Sequence, residues 1–93
     1  MIDRVDVEWD RAKATLNERK HRVVFADAAT VLHDERAVTV LDDRSDEDRF
    51  VTVGMDATGK LLVVVCTWHG STIRLISARP ATRVERRRYE EVP

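Results

Sequence analysis

Length, composition and charge narrow the classes of protein to which this chain can belong. It has 93 residues, 43% hydrophobic and 35% charged, with a net charge of −1, a balance that predicts one folded domain over residues 1–93. The longest apolar run, residues 61–66, falls far short of the about 20 residues that a membrane-spanning helix needs. Because residues 1–6 show no secretory pattern and Cys66 is the only cysteine, we expect a cytoplasmic protein without an internal disulfide or membrane contact.

The small net charge hides an uneven distribution. Residues 1–48 carry 8 basic and 13 acidic side chains, whereas residues 49–93 carry 8 basic and 4 acidic ones. Within residues 60–88, seven bases, six of them arginines, stand against one acid, Glu85. Arginine stays charged and binds phosphate through two N–H groups at once, so this segment suits a nucleic-acid backbone. From composition alone, a solvated helix face with an ordinary charge bias explains it equally well.

The chain begins with a strand and a helix. Residues 5–9 alternate apolar and acidic side chains, the period of a half-buried strand. Asp10 then offers an N-cap carboxylate to a helix over residues 11–20. We expect that helix to pack through a short apolar stripe formed by Ala12 and Leu16.

A second helix is predicted over residues 25–32, after a tight turn at residues 20–24. Its apolar side chains recur at positions i, i+3, i+4 and i+7, which is typical of a helix packed by one face. They are Phe25, Ala28, Ala29 and Leu32.

From residue 37 the apolar period changes to that of strands. Glycine-containing turns at residues 56–59 and 69–70, and an acidic loop at residues 42–48, separate four predicted strands. Residues 61–66 are apolar without alternation, which predicts a central strand covered on both faces. The four strands cover residues 37–41, 49–55, 61–68 and 72–77.

A last helix is predicted over residues 80–91, with Pro80 in its first turn, where the missing N–H costs nothing. The element order is then β-α-α-β-β-β-β-α. This predicts the α+β class, with an antiparallel sheet, two N-terminal helices and one C-terminal helix.

Most residues that could carry chemistry have an equally plain structural role. His21, beside Lys20, can exchange a proton near neutral pH or simply cap a helix. His33 and His69 lack metal-ligand spacing with His21, so we expect no metal site. Cys66 lies in an apolar run and is predicted to be a small core residue. There is no glycine-rich phosphate loop, which disfavours nucleotide-driven chemistry.

The last helix carries a basic ridge, with arginines three and four residues apart at its start and centre. Such a ridge can follow a phosphodiester backbone, while Tyr89 or Trp68 stacks on an unpaired base. The same arginines can also form a solvated face without a ligand. The ridge consists of Arg79, Arg83, Arg86 and Arg87.

An ordered series of motifs along the chain resembles the BrnT family. No single motif is rare, but their order and spacing are specific and span nearly the whole chain. They are VEWD at 7–10, NERKHRV at 17–23, Phe25 with Ala28, RFVTVG at 49–54, IRLISAR at 73–79, and Ala81 followed by ERRRY at 85–89.

The resemblance implies a RelE-like fold and a type II toxin that cleaves RNA without a metal or other cofactor. It also implies a partner, a BrnA-like antitoxin, whose ribbon-helix-helix domain binds operator DNA so that the toxin reaches DNA only through it. The active-site positions carried over to this chain are Lys20, His21, Glu47, Arg49, Arg74, Ser77 and Arg79.

Three positions depart from the family pattern or fit it ambiguously. Arg22 stands where the family usually has glycine, and Pro80 follows the strand arginine. Glu47 and Asp48 are adjacent, so either can be the family's acidic residue. The alternative to a ribonuclease is a binding module whose arginines hold a nucleic acid or an acidic partner without cleaving it.

Overall fold

The computed structural model describes residues 6–43 and 48–91, which form a five-stranded sheet with flanking helices. The strands lie in the order β1-β5-β4-β3-β2, with β1 parallel to β5 and the other pairs antiparallel. The predicted α+β architecture and order of elements are confirmed, while Val5 lies outside the described residues. The elements are β1 (Val7–Glu8), α1 (Arg11–His21), α2 (Phe25–Ala29), a 3₁₀ turn (Thr30–His33), β2 (Val38–Asp42), β3 (Arg49–Met55), β4 (Leu61–His69), β5 (Thr72–Pro80) and α3 (Arg83–Glu91).

The apolar run of β4 forms the centre of the sheet, as predicted. Leu61, Leu62, Val63 and Val64 are all buried, so the strand is covered on both faces over this stretch. Leu62 and Val64 belong to the main core, together with α2 and the 3₁₀ turn. None of the described helices is long and apolar enough to cross a bilayer.

The second predicted helix changes type along its length. It is α-helical to Ala29 and continues as the 3₁₀ turn to His33. Its core side chains include Phe25 and Ala28, as predicted, and also Val31, which is fully buried. The turn packs so closely on β3 that a Cβ added at Gly54 would lie 2.8 Å from Cγ1 of Val31. A side chain at position 54 would therefore push the turn off the sheet.

The predicted apolar stripe of α1 is wrong. Ala12 and Leu16 are exposed, and the buried residue of this helix is Asn17. The Asn17 amide donates to the carbonyls of Val23 and Ala78, and its oxygen accepts from the N–H of Ala78 at 3.0 Å. Because β1 pairs only with the start of β5, this side chain bonds the open edge of β5 where a neighbouring strand would otherwise do so.

The predicted position of Pro80 in the last helix is also wrong. Pro80 ends β5, opposite Leu62, and α3 begins at Arg83. Thr82 and Glu85 form the cap: the Glu85 N–H donates to the Thr82 hydroxyl at 3.2 Å, and the Thr82 N–H donates to the Glu85 carboxylate at 2.8 Å. This reciprocal capping box determines where the helix begins.

Candidate active site

A bulge in β5 brings Ser77 to the side of the sheet that carries polar residues of β3, β4 and β5. Arg49, Thr67 and Arg74 lie directly opposite one another on β3, β4 and β5, so their side chains share a face. Ser77 pairs with Val65 because Ile76 is an extra residue between the pairs Cys66–Leu75 and Val65–Ser77. Without the bulge, Ser77 would point away from Arg74.

Arg79 pairs with Val63, two residues before Val65, and therefore lies on the same face as Ser77. We call this side of the sheet the arginine face; it carries Arg49, Arg74, Ser77 and Arg79. The main core packs on the opposite side, where Cys66 and Leu75 point.

A groove of about 630 Å³ opens at one end of the arginine face. Its positive charge comes from Arg49 and Arg74 on the strands and from Lys13 on α1. Below we call it the arginine groove; the groups relevant to its chemistry are Lys13, Asp48, Arg49, Trp68, His69 and Arg74.

A second, shallower cavity of about 220 Å³ lies beside the groove. Lys20 and His21, in the last turn of α1, line it together with Ser77. Lys13 and Ile76 line both cavities, so the two are neighbours. The structure thus places the predicted Lys-His pair beside Ser77, adjacent to the groove that holds Arg49 and Arg74.

Arg79 is held by an acid, Glu85. Its Nη1 and Nη2 atoms donate to the two carboxylate oxygens of Glu85, both at 2.8 Å. These hydrogen bonds lower the pKa of Glu85 to about 2 and raise the pKa of Arg79. The Arg79 side chain is 39% exposed, so solvent still reaches it.

The structure adds two residues that the sequence did not indicate as functional, Glu8 and His69. Arg74 donates through Nε and Nη2 to one oxygen of Glu8, at 3.0 and 2.7 Å. Nδ1 of His69 lies 3.3 Å from the other Glu8 oxygen. Hydrogen bonds from Arg74, and then from His69, hold the pKa of Glu8 below its ordinary value. The alternation of residues 7–10 was the available signal, since it places Glu8 and Trp9 on opposite faces.

Tyr89 does not present its ring as a stacking surface. It is 8% exposed, and its hydroxyl donates to Asp34 at 2.7 Å. The predicted stacking role is therefore wrong for Tyr89, because the ring packs inside the domain. Trp68, the other candidate, is 47% exposed and borders the arginine groove. Because it alternates with Thr67 along β4, its side chain lies on the core side of the sheet, where its ring packs edge-on against Phe50.

The remaining predicted residues are dispersed or lie outside the described part of the chain. Arg83, Arg86 and Arg87 are exposed on α3. Glu47 falls within residues 44–47, which are not described, whereas its neighbour Asp48 lines the arginine groove.

Cys66 is 1% exposed, and burial raises the pKa of its thiol to about 12, which confirms it as a core residue. Within residues 6–43 and 48–91, no three His, Cys, Asp or Glu side chains are arranged to hold a metal ion.

Comparison with known proteins identifies the family. Residues 9–85 match the family model described as "Ribonuclease toxin, BrnT, of type II toxin-antitoxin system". Among solved structures, the chain is similar to the ribonuclease toxin BrnT of Brucella abortus, with a TM-score of 0.69 and 26% identity over 85% of this chain and 99% of that one. Curated protein sequences give no match. The order of motifs, the fold and the family model agree, and the chain belongs to the BrnT family of type II toxin–antitoxin ribonuclease toxins.

Proposed function

We propose that this protein is an endoribonuclease toxin that cleaves RNA at the arginine face without a metal ion. The observation that carries the proposal is the arginine groove, where three bases lie beside a carboxylate, in a chain of this family. A groove of this charge attracts a phosphodiester.

Protein side chains alone can supply what this cleavage needs. A base removes the proton of the 2′-hydroxyl, which attacks the adjacent phosphate, while cations stabilise the charge on the phosphorane and an acid protonates the leaving 5′-oxygen. We assign charge stabilisation to Arg49, Arg74 and Arg79. Lys20, His21 and the undescribed Glu47 are the acid and base candidates that the family resemblance supplies.

The α3 arginines have a different proposed role. Arg83, Arg86 and Arg87 lie outside both cavities and are exposed. We assign them to long-range attraction and binding of the RNA backbone rather than to chemistry.

The proposed regulator is a BrnA-like antitoxin with a ribbon-helix-helix domain, through which alone the complex binds operator DNA. An acidic or amphipathic segment of the antitoxin would neutralise the arginine face by covering it. A complex whose interface avoids residues 74–88 entirely would argue against this mode of inhibition.

The direct test is incubation of the purified protein with single-stranded RNA in excess EDTA. The proposal predicts fragments that end in a 2′,3′-cyclic phosphate and a 5′-hydroxyl, and no cleavage at a nucleotide that lacks its 2′-hydroxyl. Tight binding of intact RNA without fragments would instead favour the non-catalytic binding module. Activity that appears only after addition of a divalent metal would contradict metal independence.

A further inference from the structure

Three neighbouring strands place an acid, a histidine and an arginine at one end of the arginine groove. Glu8 of β1 lies opposite Arg74 of β5 in the parallel pair. His69 ends β4, opposite Thr72, after which Gly70 adopts a φ of 64° at the first position of a two-residue turn. The turn sets His69 beside Arg74, with Nδ1 of His69 3.1 Å from Nη2 of Arg74.

The two contacts of His69 Nδ1, with Glu8 and with Arg74, are alternatives, because Nδ1 donates to one and accepts from the other. If Nδ1 carries the proton, it donates to Glu8 Oε1, and Arg74 remains satisfied by Glu8 Oε2 through two nitrogens. If Nδ1 is bare, it accepts from Arg74 instead. In the first arrangement the Nε2 atom of neutral His69 has a free lone pair, which makes it a base held in orientation by a carboxylate.

The surroundings of His69 suit proton transfer in an RNA complex. The imidazole is 61% exposed and lines the arginine groove, so a substrate can reach Nε2. The charged groups around it are Glu8 and Arg74 in contact, with Lys13, Asp48 and Arg49 elsewhere in the groove. The Arg74 guanidinium has five N–H donors, more than Glu8 and His69 use through Nε and Nη2, and can add a phosphate oxygen.

We infer that His69 is the general base of the reaction, positioned by Glu8, and that Arg74 holds the scissile phosphate beside it. This inference rests on the proposed ribonuclease function. Nε2 takes the 2′-hydroxyl proton, the 2′-oxygen bonds to phosphorus, and the bond from phosphorus to the 5′-oxygen breaks. The electron pair stays on the 5′-oxygen, which takes a proton from the general acid, Lys20 or His21. His69 then gives the proton it removed to water, and the acid takes one back from water.

The test compares variants of His21, His33 and His69 in one cleavage assay. The substrate is an end-labelled single-stranded RNA that the wild-type protein cuts. His69→Gln keeps a polar side chain but cannot take up a proton, and His33→Gln is the matched control on an exposed residue away from the groove. We expect the single-turnover rate of His69→Gln to fall about 100- to 10,000-fold, and that of His33→Gln to equal the wild-type rate. Binding of the same RNA with 2′-deoxy nucleotides should stay within about threefold, since the lost group acts on the proton.

Two further readouts separate a base from a structural residue. The rate of His69→Gln should lose the acidic limb that a histidine base gives to the wild-type pH profile, and free imidazole should partly restore the rate of His69→Ala. Glu8→Gln, whose amide can donate to a bare Nδ1 and so favour the tautomer that carries its proton on Nε2, should lower the rate by up to about 10,000-fold.

The outcomes distinguish a failure of the proposed ribonuclease function from a failure of the role of His69. If the wild-type protein leaves RNA intact, the proposed function fails and the role of His69 falls with it. If the wild-type protein cleaves and a folded His69→Gln cleaves equally fast with the same pH profile, only the inference about His69 is overturned. Loss of rate in His21→Gln together with an unchanged His69→Gln would assign the base to His21 instead.

Discussion

The Arg79 guanidinium and the Glu85 carboxylate meet through two parallel hydrogen bonds, both 2.8 Å long, that join the end of β5 to the first turn of α3. Glu85 also caps that helix by accepting from the Thr82 N–H. Arg79 thus lies on the arginine face and also forms the ion pair that anchors α3 to β5. Its contribution to catalysis and its contribution to the fold must therefore be measured separately.

The first prediction uses two variants to separate the catalytic contribution of Arg79 from its structural one. Arg79→Ala should lower the cleavage rate about 30- to 1,000-fold, because a guanidinium that stabilises transition-state charge contributes roughly 2 to 4 kcal/mol. Glu85→Gln loses the same ion pair but keeps the guanidinium and the capping oxygen, so it should remain active.

Both proteins should melt within a few degrees of wild type, since a partly exposed pair contributes about 1 kcal/mol or less. Arg79→Lys keeps the charge without the fork and should recover only part of the rate. A folded Arg79→Ala that cleaves RNA at the wild-type rate would remove this residue from the active site. Equal inactivity of Arg79→Ala and Glu85→Gln would assign Arg79 to the fold.

The second prediction concerns acid stability. The pKa of Glu85 falls from an ordinary 4.5 to about 2 on folding, so its stabilisation is complete above pH 4.5 and is lost as the pH drops towards 2. Urea unfolding at a series of pH values should show wild type more stable than Glu85→Gln near pH 6, with the difference shrinking between pH 4.5 and 2. A difference that stays constant over this range would mean that the pair does not form in solution.

The third prediction tests the buried amide of α1. Asn17→Ala leaves the N–H and carbonyl of Ala78 and the carbonyl of Val23 without their partner. We expect it to lower the free energy of unfolding by roughly 2 to 4 kcal/mol, measured by urea titration. The control is Leu16→Ala: Leu16 is 62% exposed and its truncation should cost less than about 0.5 kcal/mol. If Leu16→Ala lowered the free energy of unfolding more than Asn17→Ala, α1 would pack through the predicted apolar stripe instead.

The fourth prediction concerns the end of α1. Arg22 has a φ of 57° and a ψ of 34°, and its N–H donates to the carbonyl of Glu18, so it closes the helix in the left-handed conformation. Because that conformation strains a residue with a Cβ, Arg22→Gly should stabilise the protein by about 0.5 to 1 kcal/mol. Arg19→Gly, the same change inside the helix, should destabilise it by about 1 kcal/mol. Thermal melting of both variants measures the effect, and a lower melting temperature for Arg22→Gly would refute it.

The order of elements could be predicted because strand and helix periods, turn glycines and the Asp10 cap are local signals. Asp10 does accept from the Lys13 N–H, at 3.2 Å. The packing of α1 could not be predicted, since its buried contact is made by a polar side chain and apolar patterning does not detect it. The start of α3 could have been predicted from the spacing of Thr82 and Glu85, the signature of a capping box.

The candidate site was only partly predictable for a related reason. Motif spacing pointed to Arg49, Arg74 and Ser77; the structure aligns Arg49 and Arg74 through Thr67 and brings Ser77 to the same face through the bulge at Ile76. The approach of Glu8 to His69 spans 61 residues and depends on the parallel pairing of β1 with β5. The strand alternation indicates which face of β1 carries Glu8, but the non-local pairing that brings it to His69 has no signal in the local sequence.

The most direct measurement of the central claim compares one arginine of the groove with one of α3. A defined RNA is cleaved under saturating protein by Arg49→Gln and Arg86→Gln, after melting curves show that both are folded. The account predicts that Arg49→Gln lowers the rate at saturation about 30- to 1,000-fold. Arg86→Gln should weaken binding and flatten its salt dependence by about 0.7 in log–log slope, with the rate at saturation unchanged. Equal losses of saturating rate in the two variants, or a loss only in Arg86→Gln, would contradict a catalytic site on the arginine face.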